Sequence, residues 1–187
     1  KNAYSNTYLA KRENSDGSIN LDEWFFIESD GTAEVNVNLW NPNDVVSYLS
    51  FAIYLPEGFE IIDARTGSRA ENSHSVVYTN VSDNEVLFTL SPNGNANIGC
   101  SSGDIVKLTL KAAKDVIPGN YSLHIAEPRI YTPEGKVFVF DEKVCKFSVP
   151  HLNSITEWSQ FSNDKIYTIA TKRAFLLYDE SFPDQIC

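Results

Sequence analysis

From residue 33 onward, apolar and polar side chains alternate with a period of two through most of the chain. In the stretch 33–40, the apolar side consists of Ala33, Val35, Val37 and Leu39. In the stretch 47–55, it consists of Leu49, Phe51, Ile53 and Leu55. The runs "EVLFTL", "DIVKLTLKAA", "NYSLHIAE" and "KVCKFSV" continue the pattern. Such alternation is typical of half-buried antiparallel strands.

The segments between these runs carry the residues that turns require. They are "NPND", "PEG", "SPNGN", "SSGD", "IPGN" and "TPEGK", and each supplies Pro, Gly or Asn. No helical pattern separates the strands, which disfavours a parallel α/β sheet. The sequence therefore predicts an all-β protein, an antiparallel β-sandwich or barrel.

The composition changes after Pro150, and this change suggests a division of the chain. We expect residues 1–150 to form the sandwich, with 1–22 as an N-terminal arm or hairpin. Ser154 and Glu157 have capping-box spacing, which predicts a short helical turn. The runs "KIYTIA" and "AFLLYD" then predict one hairpin. Residues 151–187 are therefore either a tail that docks as a hairpin or the start of an incomplete second module.

Charge and composition limit the classes of partner. The chain has 187 residues, is 42% apolar and carries a net charge of −10 without a Lys or Arg cluster. This disfavours nucleic acid, because contacts to phosphates dominate that affinity. No apolar run approaches the ~20 residues that span a bilayer, so we expect no membrane insertion. The chain lacks Met altogether, and the missing initiator predicts a removed leader and a secreted or cell-surface protein.

The three cysteines do not form a metal-binding pattern. Cys100, Cys145 and Cys187 include no C-x-x-C pair, which disfavours a metal-thiolate site. One disulfide among them would leave one thiol over. Cys145 lies in an alternating run, so we interpret it as a small buried residue.

The segment "RENSDGSINLDE", residues 12–23, is the best candidate for a calcium loop. Oxygen-bearing side chains occupy four ligand positions of the EF-hand pattern, namely Asn14, Asp16, Asn20 and Glu23. The first position, however, holds Arg12, whose cation would repel Ca²⁺. The alternative is a simple hairpin turn at "SDGS". We therefore expect no cofactor, with Ca²⁺ as the one alternative.

No residue pattern indicates catalysis. His74, His124 and His151 are interpreted as surface or interface residues, since none has convergent partners in the sequence. Nucleophile, zinc and phosphate-loop motifs are missing from the sequence. The acidic residues are interpreted as a solvated surface. We therefore predict that the protein is not an enzyme.

Aromatic residues are the candidates for binding. Trp40, Tyr48 and Tyr54 lie on the polar side of their strands by alternation. Flat rings exposed on a sheet can stack on sugars and contribute much of a binding energy. The favoured alternative is that the N-terminal arm or the tail buries these rings.

The order of these strands and turns resembles a known family. The run "AEVNVNLWNPNDVVSYLSFAIYLPEGFEII", then "SGDIVKLTLKAA" and "IPGNYSLHIAEPRIYTPEGKVFVF", is similar to cohesin-like modules of secreted bacterial surface proteins. The resemblance covers roughly residues 22–149. It implies a nine-stranded jelly-roll sandwich, related in shape to carbohydrate-binding modules, with no chemistry of its own. The segment "SNDKIYTIATKR" resembles the start of modules that follow such domains.

Together these observations predict a non-catalytic binding or assembly module whose partner is a protein or a polysaccharide. A dedicated carbohydrate-binding module with an exposed aromatic face is one alternative. A structural spacer is another, and an enzyme fragment is disfavoured because a catalytic pair of carboxylates is not evident.

Overall fold

A computed structural model of the chain describes residues 16–150, 166–171 and 174–179. The chain divides into two compact units, Lys1–Val149 and Pro150–Cys187. Within the described ranges, no helix is long and apolar enough to cross a membrane.

The first unit is a β-sandwich. Its described strands are β1 (Ser18–Leu21), β2 (Phe25–Phe26), β3 (Thr32–Asn41), β4 (Tyr48–Tyr54), β5 (Phe59–Thr66), β6 (His74–Ser82), β7 (Glu85–Pro92), β8 (Ser101–Ala112), β9 (Gly119–Tyr131), β10 (Val137–Val139) and β11 (Lys143–Val149). A smaller sheet has the order β1-β3-β8-β5, and a larger sheet has the order β2-β11-β9-β4-β7-β6, with β10 paired to β9. All pairs are antiparallel except β2 with β11.

The core lies between the two sheets, and the alternation of the sequence supplies it. Leu49, Phe51 and Ile53 of β4 are at most 1% exposed, as predicted. Phe51 stacks on Phe88 of the neighbouring strand with ring centroids 5.1 Å apart. Full burial of one such side chain contributes roughly 1.5–3 kcal/mol to folding. The predicted all-β sandwich is thus confirmed.

The described N-terminal end of the sandwich contains a short strand. Residues 18–21, which belong to the predicted N-terminal arm or hairpin, form β1 and pair with β3. Ile19 and Leu21 of this strand are buried, while Ser18 and Asn20 alternate with them. A run of only four residues is too short for its period to be recognised in the sequence. The rest of the predicted arm, residues 1–15, lies outside the described residues.

The second unit contains the predicted C-terminal hairpin. Strands β12 (Ile166–Thr171) and β13 (Ala174–Asp179) pair antiparallel from one end to the other. The predicted helical turn at Ser154–Glu157 lies outside the described residues.

Candidate functional site

The outer face of the larger sheet is built from rows of side chains that cross β6, β7, β4 and β9. The strand registers align three such rows. They are Val77–Thr89–Ser50–Arg129, then Thr79–Leu87–Ala52–Ala126, then Ser82–Glu85–Tyr54–His124, which continues to Val144 on β11. Because β4, β7 and β9 turn their large apolar residues inward, this outer face carries mostly small and polar side chains.

The centre of this face is flat, and exposed apolar side chains surround it. Ala52 and Ala126 face each other across β4 and β9, and these small side chains are 6% and 8% exposed. Around them, Val77 is 58% exposed, Leu87 is 41% exposed and Tyr54 is 39% exposed. A water-facing sheet face does not need these apolar side chains for folding, so they indicate an interaction surface. We call the set Tyr54, Val77, Leu87, Ala52 and Ala126 the flat face.

Two polar pairs border the flat face. At one end, Tyr54 donates a hydrogen bond to Glu85, and this carboxylate raises the pKa of Tyr54 above its ordinary value. At the other end, Nη2 of Arg129 lies 2.6 Å from Oε2 of Glu127. Charged and hydrogen-bonding groups at the rim of an apolar patch fix the orientation of a partner.

The Glu127–Arg129 pair is positioned by a β-bulge. Two residues of β9, Glu127 and Pro128, lie opposite Phe51 alone, where the register of β4 and β9 shifts. Glu127 has a φ of 48°, which is unfavourable for a residue with a side chain that precedes proline. Bulges of this kind re-aim side chains at the edges of functional sites. Next to it opens a groove of about 480 Å³, whose lining includes Glu127, Arg129 and Phe140.

The structure does not bring the three predicted aromatic residues together. Trp40 lies on β3 of the smaller sheet, whereas Tyr48 and Tyr54 lie on β4 of the larger sheet. The two tyrosines are six residues apart on one strand, or about 20 Å. Tyr48 packs edge-on against Tyr131 at 5.1 Å. Trp40 and Tyr54 are 47% and 39% exposed. Most of the arm and tail residues that were expected to cover them lie outside the described residues.

The candidate calcium ligands are also spread out. Asn20 lies in the extended strand β1, where its Nδ2 donates to Oγ of Ser18 at 2.8 Å. Asp16 and Glu23 lie on either side of that strand, about 23 Å apart along an extended chain. Among the described residues, no group of three or more His, Cys, Asp or Glu could hold a metal ion. Asn14 lies outside the described residues.

His74 is buried inside the first unit, so its interpretation as a surface or interface residue is wrong. It is 2% exposed, with Nε2 3.0 Å from the carbonyl oxygen of Ser47 and Nδ1 2.8 Å from Oγ of Ser73. Since a carbonyl can only accept, Nε2 donates to Ser47 and Nδ1 accepts from Ser73. Burial lowers the pKa of His74 below its ordinary value. His124 is exposed on the outer face, as predicted, and His151 lies outside the described residues.

Cys145 is a buried thiol, as the sequence predicted. It is 3% exposed, and its Sγ lies 2.7 Å from the backbone oxygen of Asp22. Burial raises the pKa of Cys145 to about 12, and the nearby charges of Glu23 and Asp22 act in the same direction. The thiol therefore stays protonated and does not act as a nucleophile at neutral pH. Cys100 is exposed and free, and Cys187 lies outside the described residues.

Sequence reasoning missed the aliphatic residues of the flat face. Leu87 in "EVLFTL" and Val77 in "HSVVYT" are apolar at positions where alternation predicts a polar residue. A search for apolar residues that break the alternation would have found both. The sequence pattern drew attention to aromatic rings instead, because these dominate many interfaces.

The chain was compared with protein families, with curated proteins and with solved structures. The model of the cohesin domain family matches residues 28–136. A search of curated proteins gives no significant match. Three similar solved structures align with this chain over nearly their whole length. Because their sequence identities are low, this structural similarity shows the fold alone.

The first is a non-cellulosomal cohesin from the archaeon Archaeoglobus fulgidus, with 17% identity over 78% of this chain and 97% of that chain, and a TM-score of 0.56. The second is a cohesin module of a Clostridium perfringens family 33 glycoside hydrolase, with 15% identity over 73% and 96%, and a TM-score of 0.60. The third is the sixth cohesin of scaffoldin B from Acetivibrio cellulolyticus, solved in complex with a Cel5 dockerin, with 14% identity over 71% and 98%, and a TM-score of 0.59.

Proposed function

This chain belongs to the cohesin family, whose domains are non-catalytic protein-interaction modules, and on that premise we propose that it binds a dockerin-type protein module through its flat face. The similar Acetivibrio cellulolyticus cohesin was solved with a dockerin. The proposal extends that kind of partner to this chain and assigns it a surface.

The observation that carries the proposal is the exposure of apolar side chains around a flat centre. Leu87, Val77 and Tyr54 project from three neighbouring strands of one sheet, yet none of them packs in the core. Their burial by a partner would remove apolar area from water, which is the main driving force of association. The small side chains of Ala52 and Ala126 would let the partner approach close to the sheet.

The two polar pairs at the border would set the orientation of the partner. Tyr54–Glu85 and Arg129–Glu127 lie at opposite ends of the flat face, so a partner that satisfies both pairs has one preferred orientation. Rim pairs of this kind mainly govern specificity and association rate, while the apolar centre supplies most of the affinity.

The test uses a panel of dockerin modules immobilised in buffer that contains Ca²⁺, with the full chain in solution. Leu87→Lys should weaken binding at least about tenfold, because it places a charge in the desolvated centre. Ile62→Lys is the matched control, since Ile62 is 44% exposed, much as Leu87 is, but lies on β5 of the other sheet. We expect Ile62→Lys to bind like the wild type. Equal loss in the two variants, or no binding across the panel, would contradict the proposal.

The other parts of the sequence prediction remain proposals with less support. A polysaccharide partner would need aromatic rings on one face, and Trp40 lies on a different sheet from Tyr48 and Tyr54. Affinity electrophoresis in gels that contain polysaccharides, with Trp40→Ala and Tyr54→Ala beside the wild type, tests this alternative. A secreted or cell-surface location fits an assembly module of this family. A spacer role would be favoured if neither kind of partner binds.

A further inference from the structure

The four strands that end the two sheets differ in how well they are protected against pairing with another chain. Strands β1 and β2 have four and two residues, and very short edges offer little to pair with. Strand β5 has eight residues, but it carries Glu60, Asp63 and Arg65 and contains a bulge. Charges and bulges on an edge are known devices against edge-to-edge association.

Strand β6 has none of these protections along most of its length. Its nine residues, "HSVVYTNVS", include no Lys, Arg, Asp, Glu or Pro. It pairs with β7 on one side, and among the described residues it pairs with no strand on the other. Toward the rest of the described chain, the backbone groups on that other side therefore form an unpaired row. Val77 and Val81 are each 58% exposed beside it.

The edge is also held firmly in place. Tyr78 turns inward and stacks on Phe88 with ring centroids 5.8 Å apart, and its hydroxyl lies 3.4 Å from the carbonyl oxygen of Ile62. At the start of the strand, buried His74 is hydrogen-bonded to Ser47. A preformed edge loses little conformational entropy when it pairs with a second strand.

From these features we propose that β6 is a self-association edge, at which a second copy of this chain pairs antiparallel with the first and joins the two larger sheets. A second copy fits because an antiparallel edge is its own complement about a two-fold axis. The chain carries a net charge of −10, so two copies repel each other. Among the long edge strands of the described sandwich, β6 adds no charged residue to this repulsion, and this makes it the favoured edge for contact between copies.

The geometry of the strand predicts the register of this pairing. Strand β6 runs regularly from His74 to Asn80, and its register with β7 shifts between Asn80 and Ser82. The centre of the regular part is Val77. A two-fold axis through this centre places Val77 opposite the second copy's Val77, with their Cβ atoms roughly 4.5–5.5 Å apart. The paired sheets would then present their two flat faces on the same side.

Sedimentation equilibrium of the full chain over a concentration series up to about 1 mM tests the proposal. We expect the average mass to rise from that of a monomer toward that of a dimer. Val77→Lys should lower the association constant at least about tenfold, because it places two like charges directly opposite each other. Val77→Thr, which stays uncharged and β-branched, should associate like the wild type.

Added NaCl should strengthen this association, because salt screens the repulsion between two acidic copies and leaves a backbone ladder intact. A monomer mass at every concentration would overturn the proposal. So would equal association of the wild type and Val77→Lys, or association that weakens with salt, since the latter indicates ion pairs elsewhere on the surface.

A cross-linking experiment tests the register independently of affinity. In a chain with Cys100→Ser and Cys187→Ser, Val77→Cys should form a disulfide-linked dimer on oxidation, because directly opposite residues approach disulfide distance. Leu87→Cys is the control, since β7 would lie three strand spacings, or about 14 Å, from its copy. Cross-linking that is equal in the two variants would reflect random collision and would contradict the proposed edge.

Discussion

The outer faces of the two sheets differ in their ion pairs, although both sheets contribute to one core. Among the described residues, the smaller sheet carries the ion pairs Arg65–Glu34, Lys111–Glu60 and Lys107–Asp104. It also exposes two large apolar side chains, Trp40 and Ile62. The larger sheet carries one ion pair among its described residues, Arg129–Glu127, and the flat face occupies the area beside it. Charged side chains of the smaller sheet pair with one another, whereas the larger sheet leaves the apolar side chains of the flat face exposed.

This difference shows where an interaction surface can be recognised. Exposed ion pairs contribute little to stability, so their main effect on the smaller sheet is to keep that face hydrated. Exposed valine and leucine on the outer face of a sheet do not keep that face hydrated, and a folded chain gains by covering them. The predictions below test this contrast, beginning with the largest expected effect.

The two sides of a single strand, β7, should respond very differently to truncation. Phe88 is fully buried between the rings of Phe51 and Tyr78, so Phe88→Ala should lower the free energy of unfolding by about 3–5 kcal/mol. Leu87 points outward, and Leu87→Ala should cost less than about 1 kcal/mol. Urea unfolding of both variants checks this, and similar losses would mean that the flat face is part of the core.

The buried side-chain amide of Asn41, at the end of β3, should contribute more to stability than the exposed amide of Asn43 nearby. Nδ2 of Asn41 donates to the carbonyl oxygens of Asp44 and Gly99, at 2.6 and 3.1 Å, and Oδ1 accepts from Arg69 at 2.9 Å. Asn41→Ala removes these three hydrogen bonds from a buried side chain and should cost about 1–3 kcal/mol. The exposed Asn43 is the control, and Asn43→Ala should change the midpoint of urea unfolding very little.

The buried histidine at the start of β6 should make the edge of the larger sheet sensitive to pH. Folding lowers the pKa of His74 through burial, so the unfolded state binds the proton more strongly. Stability should therefore fall as the pH drops through the ordinary histidine pKa of about 6.5, and continue to fall until the folded histidine titrates.

His74→Gln keeps a donor for Ser47 but cannot be protonated, so this part of the pH dependence should vanish. The measurement is the free energy of unfolding of both proteins at about pH 7.5 and about pH 5.5, above the range where most carboxylates titrate. An equal change with pH in the two proteins would assign the effect to other groups.

The smallest effect should come from the ion pairs of the smaller sheet. Arg65→Gln removes the partner of Glu34, and both side chains are largely exposed. We expect a loss of about 0.2–1 kcal/mol that disappears in high salt, because solvent and ions screen exposed pairs. Thermal unfolding in low and high salt checks this, and a large loss that is independent of salt would show that the face has a structural role.

The fold could be predicted from local patterns because those patterns follow the geometry of a strand. In β4 and β8 every predicted inward residue is buried, since a period of two sends alternate side chains to opposite sides of any sheet. The period does not say which sheet a strand joins. For that reason Trp40 and Tyr54, equivalent by alternation, lie on different sheets and cannot share a ligand.

Local sequence patterns could not predict the tertiary environment of a side chain. His74 lies among polar residues in the sequence, yet it is buried because β6 begins there and Ser47 comes close from 27 positions away. The same limit applies to Leu87, whose exposure depends on what lies above β7 rather than on its neighbours along the chain.

By itself, the sequence determined that this chain forms antiparallel strands with a shared apolar core, because period and turn residues are properties of neighbouring residues. The tertiary structure alone decided which strands share a sheet, which edges stay unpaired and which apolar residues remain in water. Those outcomes depend on long-range pairing between distant segments. The flat face and the unprotected edge of β6 both result from this pairing, and the flat face joins residues that the sequence keeps apart.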